Sequence, residues 1–176
     1  MKAFVGVNLQ GTGVERKLDA ARKHFASLGI SSFEIPSSPM HITLIPPLEM
    51  NLVETSRVQL ALRQTCYEIA SRGINLVASE YHLLRHSGVC YLTVKVNDPG
   101  GKLNQARDKI VETLTLMGYN YPLAEKSWTS HATVGFMSDQ HSSLLGEHLN
   151  AFSTTNFSIN HRNLFVPYKD NNGWCW

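Results

Sequence analysis

The pattern of apolar and polar positions divides the chain into short segments that alternate between a strand period and a helix period. Lys2 to Leu9 alternates small and apolar residues as a strand does, and Gly11-Thr12-Gly13 breaks it. Val14, Leu18, Ala21, Phe25 and Leu28 then recur at helical spacing, with Thr12 as a candidate cap and Gly29 as a stop. Ser32 to Ile35 reads as a short strand. Pro36 and Pro39 bracket a turn into a further strand at His41 to Leu44, which Pro46-Pro47 is expected to end. Asn51 and Glu54 have capping-box spacing and predict a helix through Arg72, with Val58, Leu62, Cys66 and Ile69 inward and Gly73 as its stop. Ile74 to Leu84 and Val89 to Val96 are apolar-rich runs joined by Arg85-His86-Ser87-Gly88, the form of a hairpin. A third helix puts Leu103, Ala106, Ile110, Leu114 and Met117 on one face and stops at Gly118. Tyr119 to Thr129 reads as a polar and aromatic loop leading into a strand at His131 to Val134. A helix around Leu144 to Phe152 and a last strand around Phe157 to Val166 complete the order.

That order repeats itself. Each half brings a strand, a helix and a strand that reads His-x-Thr followed by an aliphatic residue: His41-Ile42-Thr43-Leu44, and ninety residues later His131-Ala132-Thr133-Val134. The expectation is an α+β fold, bilobal and duplicated, with two antiparallel sheets flanking a central cleft and helices on the outside, residues 1–176 forming a single domain. Side chains two apart on a strand point the same way, so His41 with Thr43, and His131 with Thr133, project to one side while Ile42, Leu44, Ala132 and Val134 face a core.

The residue types suit a definite chemistry. Two imidazoles across a cleft can hold opposite protonation states near neutral pH, one taking a proton from a nucleophile and the other giving one to a leaving group. Two hydroxyls beside them can hydrogen-bond phosphoryl oxygens. This is a phosphodiester site that needs no metal or other cofactor. Among the other histidines, His141 and His148 lie seven apart on a segment read as a surface helix, an alternative pair of metal ligands, but they lack Cys, Asp or Glu at ligand spacing. His82 and His86 fall in or near the hairpin, and His24 and His161 read as bystanders. Trp128, three residues before His131, and Tyr168, after the last strand, are candidates for stacking a nucleobase. Arg85, Lys126 and Lys169 are candidates for meeting phosphates, with the solvated-surface reading beside it.

Composition changes this picture little. The net charge of +2 permits an anionic substrate without demanding a nucleic-acid surface. Three cysteines, none in a CxxC pair, support neither a disulfide framework nor a thiolate zinc site and point to a reducing cytoplasm. No leader-like or membrane-spanning apolar run is present, so no membrane partner is expected, and the chain is expected to be a monomer.

On the paired motifs the sequence resembles the two-histidine (2H) phosphoesterase superfamily, which includes the 2′-5′ RNA ligase/cyclic phosphodiesterase (LigT-like) proteins. Weaker echoes are the opening AFVGVNL strand, the SEYHLLRHSGVCYLTVKV hairpin and FSINHRNLFVPY near the end; the second motif departs from the commoner Pro-His-x-Thr in having Ser130. The resemblance implies a phosphodiesterase acting on a nucleotide, oligonucleotide or RNA end, with His41, Thr43, His131 and Thr133 in the site. The substrates in view are a 2′,3′-cyclic phosphate or a 2′-5′-linked oligonucleotide. A cyclic di- or oligonucleotide defence signal is the alternative substrate, and a non-catalytic RNA- or nucleotide-binding module the alternative class.

Overall fold

The computed structural model describes residues 2–30, 32–119, 128–146, 148–149, 152–170 and 173–175. Strand β1 (Lys2–Asn8) is followed by α1 (Glu15–Ser27), β2 (His41–Glu49), α2 (Leu52–Ala70), β3 (Ile74–His86), β4 (Val89–Asn97), α3 (Lys102–Leu116), β5 (His131–Ser138), the short helix α4 (Ser143–Gly146), β6 (Thr155–Ile159), β7 (Leu164–Phe165), β8 (Tyr168–Asp170) and β9 (Gly173–Cys175). The strands run in the order β6-β3-β4-β5-β2-β1-β8-β9, with β7 also on β1, and each described pairing is antiparallel. The α+β class with antiparallel sheet is therefore as expected. The two expected sheets are the halves of one continuous path, and the halves meet where β2 pairs with β5 at Ile42 and Ala132.

Local chemistry accounts for most boundaries. The Asn51 side chain accepts from the Glu54 N–H while the Glu54 carboxylate accepts from the Asn51 N–H, closing the capping box that opens α2. The β3–β4 hairpin turns through Ser87 and Gly88, both at positive φ (49° and 78°), the two-residue turn whose twist matches the strands. One apolar cluster joins the elements: Val5 and Val7 of β1, Leu18 and Phe25 of α1, Val58 and Leu62 of α2 and Leu103 and Ile110 of α3 are all buried in it. Among the described residues no helix is long and apolar enough to cross a membrane.

Several local expectations are corrected. Thr12 does not cap α1; its hydroxyl donates to the Leu9 carbonyl, and the helix begins at Glu15, whose carboxylate accepts from the Gly11 N–H at 2.8 Å. Pro46-Pro47 does not end β2, which pairs with β1 as far as Glu49 across register shifts. Pro46 and Pro47 together oppose Phe4 in a bulge of that pairing, and among the described residues the other flank of β2 pairs with β5 only at Ile42, so the missing proline N–H groups break no ladder. The strand expected from Phe157 to Val166 is two strands in opposite halves of the sheet, β6 on β3 and β7 on β1. Between them Asn160 and Asn163 cap a 3-10 turn, His161–Asn163, that carries the chain across. Around Leu144 to Phe152 the described part includes a single helical turn, and Glu147, Asn150 and Ala151 lie outside the described residues, as do residues 120–127 of the expected loop.

The expected strand at Ser32 to Ile35 is reduced to a bridge between Glu34 and Phe136 of β5, closed by hydrogen bonds of 2.8 and 2.9 Å. This docks the segment ahead of the first motif onto the second motif strand. Phe33 completes the dock by lying on Gly135, where a Cβ would come within 2.1 Å of the ring. We expect Gly135→Ala to destabilise the fold by about 1–3 kcal/mol through overpacking, read as a lower urea midpoint. Phe33→Ala in the same chain should relieve part of that loss; a Gly135→Ala midpoint equal to wild type would contradict the dock.

Candidate active site

The junction of the two halves sets the site. Ile42 and Ala132 face each other fully buried, and one step along each strand turns the side chains to the opposite face. In an antiparallel pair this brings His41 beside Thr133 and Thr43 beside His131. All four are partly exposed on one face, between buried Leu44 and Val134 on the other. The structure thus brings together the four residues of the two motifs.

Both imidazoles are oriented by the same device. His41 Nδ1 donates to the Pro39 carbonyl at 2.8 Å, and His131 Nδ1 donates to the Thr129 carbonyl at 2.9 Å, each two residues upstream. A carbonyl only accepts, so Nδ1 carries the hydrogen and Nε2 is the basic nitrogen of the neutral ring. The helices repeat the logic across the halves. Arg22 of α1 donates to the carbonyls of Thr133 on β5 (3.3 Å) and Ser38 (3.1 Å), while Arg107 of α3 donates to the Leu44 carbonyl on β2 (3.3 Å). Each helix therefore grips the motif strand of the other repeat.

Burial pulls both histidines below the ordinary imidazole range. For His41 desolvation is the main cause, opposed by the hydrogen bond to Pro39 and reinforced by the positive charge of Arg22 and of His131. For His131 desolvation again leads, opposed by Thr129 and reinforced by His82. The walls that cause this burial differ. His41 packs on Phe4, ring centroids 5.1 Å apart, and meets Phe165 edge-on at 6.4 Å. Gly6, opposite Thr43 on β1, leaves room for both phenyl rings, since its Cβ would stand 3.0 Å from each. Beyond His41 opens a recess of about 460 Å³ lined by Phe4, Ile35, Pro36, Pro47 and Phe136 and by the polar Glu34, Ser37 and Ser38. His131 instead adjoins a smaller recess with Glu80, His82, Lys95 and Thr129 in its wall.

Trp128 and Tyr168 are both engaged by neighbouring groups. The Trp128 indole N–H donates to the Thr43 carbonyl at 3.3 Å and its ring lies under the Arg107 guanidinium at 5.0 Å, which ties the approach to β5 onto β2 and α3. Tyr168 opens β8 opposite Ala3, on the core face and against the apolar cluster. His24 meets Phe25 edge-on and the His161 ring lies tilted against Tyr67. Arg85 pairs with Asp139 at 2.8 Å, Lys169 is exposed on β8, and Lys126 lies outside the described residues. His141 sits in a 3-10 turn and His148 beyond α4, and among the described residues no three His, Cys, Asp or Glu side chains gather as metal ligands. Sequence reasoning missed Phe4, Phe165, Arg22 and Lys95, because each reaches the motifs only through strand pairing or helix packing.

The comparisons agree with this architecture. The profile of the 2′-5′ RNA ligase superfamily matches residues 11–171. The chain belongs to this superfamily, the 2H phosphoesterases. Its fold is similar to the PDE domain of MHV ns2 (TM-score 0.65, 17% identity, 94% of this chain and 96% of that one). It is also similar to TT0787 of Thermus thermophilus (0.60, 15%, 99% and 93%) and to E. coli LigT complexed with 3′-AMP (0.57, 12%, 99% and 91%). A sequence comparison with curated proteins gives no significant match.

Both imidazoles should titrate below the ordinary value of about 6.5 in a proton NMR titration. Because each takes up a proton less readily in the fold than in the unfolded chain, stability should fall as pH drops from about 6.5 toward the folded values. That part of the slope should vanish in a His41→Gln/His131→Gln chain. Phe4→Ala, which removes a desolvating wall, should raise the midpoint of His41 and not that of His131; an unmoved His41 would contradict the burial account.

Proposed function

We propose that this chain is a phosphodiesterase of ribose-based substrates, acting on a 2′,3′-cyclic phosphate or a 2′-5′-linked oligonucleotide with His41 and His131 as its acid–base pair. The observation that carries this reading is the pairing of the two motifs about Ile42 and Ala132, each imidazole held by the same Nδ1 hydrogen bond. Nε2 of one ring takes a proton from the attacking water or ribose hydroxyl, and Nε2–H of the other protonates the departing ribose oxygen. The hydroxyls of Thr43 and Thr133 donate to the phosphoryl oxygens as charge gathers on them.

Substrate chemistry completes the account. An acid–base group is worth about 10²–10⁴ in rate, so the substrate must contribute too. A five-membered cyclic phosphate does so by ring strain, and a hydroxyl beside the phosphorus by its high effective concentration. The apolar recess beside His41 takes the nucleobase in this reading, in place of Trp128 and Tyr168, whose rings are engaged with β2 and with the core. Similarity to a PDE domain and to a LigT complexed with 3′-AMP supports a nucleotide substrate. A module that only bound RNA would have no use for two titrating rings oriented alike. Residues 1–176 act as a single bilobal domain, since the site needs a strand from each half.

The test is a substrate panel of 2′,3′-cyclic phosphates, 2′-5′ oligoadenylate and cyclic dinucleotides, assayed in EDTA. We expect turnover of at least one ribose substrate, a bell-shaped pH profile, and none of the matched deoxyribose substrate. His41→Ala and His131→Ala should each lose about 10²–10⁴ in kcat on the best substrate, and the double variant should be little worse than either single, as residues acting as a unit are not additive. Near wild-type turnover in either single variant, or activity lost in EDTA and restored by a divalent ion, would refute the proposal.

A further inference from the structure

The pseudo-twofold that makes His41 and His131 equivalent fails one strand further out. Directly opposite His41 on β1 stands Asn8; directly opposite His131 on β4 stands Lys95. Residues opposite one another in an antiparallel pair share a face, so Lys95 stands beside His131 on the cleft side. The next strand adds to the asymmetry. Between Ala78 and Tyr81, β3 carries one residue more than β4, so Ser79 and Glu80 together oppose Lys95. Such a bulge re-aims side chains. Before it, Ile74, Leu76 and Ala78 point into the core; after it, Tyr81 takes the core side, packed on Phe25, and Glu80 and His82 turn to the cleft. The result is the recess of about 170 Å³ in which Glu80, His82, Lys95 and Thr129 meet His131.

Building on the phosphodiesterase reading, we propose that Lys95 and His82 form a second anion subsite that binds a phosphate neighbouring the one between the two motifs. The substrate is then a nucleotide or oligonucleotide with at least two phosphate groups, lying in one direction: base toward Phe4 and Phe136 on the His41 side, extra phosphate toward Lys95 on the His131 side. A Lys ammonium offers three donors and His82 one or two more, a set that suits phosphate oxygens. Lys95 pairs with Glu80 at 3.2 Å, but their side chains are 40% and 63% exposed, so the pair is weak and a phosphate can displace the carboxylate. Glu80 therefore holds the ammonium over the recess when it is empty and competes with the anion when it fills.

That competition gives the proposal a signature. The test is calorimetric titration of the full chain with adenosine 3′-monophosphate and adenosine 3′,5′-bisphosphate. Wild type should bind the bisphosphate about tenfold more tightly, the gain from one charge-assisted contact set. The ratio should fall toward one in Lys95→Met and be reduced in His82→Asn, while Glu80→Gln should raise it, since a competing charge is lost; a carboxylate that merely propped up the fold would lower it. In wild type the ratio should shrink with added salt, a readout that needs no variant. Equal binding of the two nucleotides by wild type, or an unchanged ratio in Lys95→Met, would overturn the subsite. Because no turnover is involved, the subsite can stand if no diester is cleaved, and it can fall while the hydrolysis assay succeeds.

Discussion

The site hangs on one backbone junction. Where β2 meets β5, Ile42 and Ala132 are buried face to face, and the alternation of a strand turns the neighbours on both sides to the opposite face. A slip of one residue at this junction would send the histidines into the core and the aliphatic residues into the cleft, so burial of Ile42 and Ala132 is what holds the register. The surrounding contacts reinforce that arrangement from outside. Arg22 and Arg107 each reach from a helix to a carbonyl of the opposite motif strand, and the Trp128 indole spans from the approach to β5 onto Thr43.

Within this symmetric frame the surroundings of the two imidazoles diverge. His41 lies among phenyl rings with Arg22 nearby, whereas His131 lies among polar and charged groups on β3 and β4. Desolvation lowers both, and the bond from Nδ1 to a carbonyl opposes it in both. The net result in both rings is a lowered affinity for the proton, so that each gives one up more readily than a free imidazole. The differing walls leave the chemistry of the pair intact and make the cleft directional.

Much of this was legible in the chain because it rests on local rules. The capping box at Asn51 and Glu54, the hairpin around Ser87-Gly88 and the two His-x-Thr strands are signals contained within a few residues, and the α+β class follows from their order. The departures arise where tertiary pairing overrides local pattern. Pro46-Pro47 sits in a strand because the two fall in a bulge of the β1–β2 pairing, and Phe157 to Val166 splits because two asparagines cap a turn inside an apolar run. The roles of Phe4, Lys95 and Arg22 depend on which strand lies opposite which, and a single sequence carries no record of that. Trp128 and Tyr168 were conspicuous as aromatic residues near the motifs, yet proximity along the chain did not decide which face of the sheet they occupy.

The central claim is that the two motifs act on a single phosphorus. It is tested most directly by a crystal structure of the chain with a uridine–vanadate complex, whose trigonal bipyramidal centre mimics a phosphoryl transfer transition state. The account predicts Nε2 of His41 and Nε2 of His131 on the two opposite apical oxygens, with the Thr43 and Thr133 hydroxyls on equatorial oxygens. A vanadate centre held by one motif alone, with the other histidine beyond hydrogen-bonding distance, would contradict it.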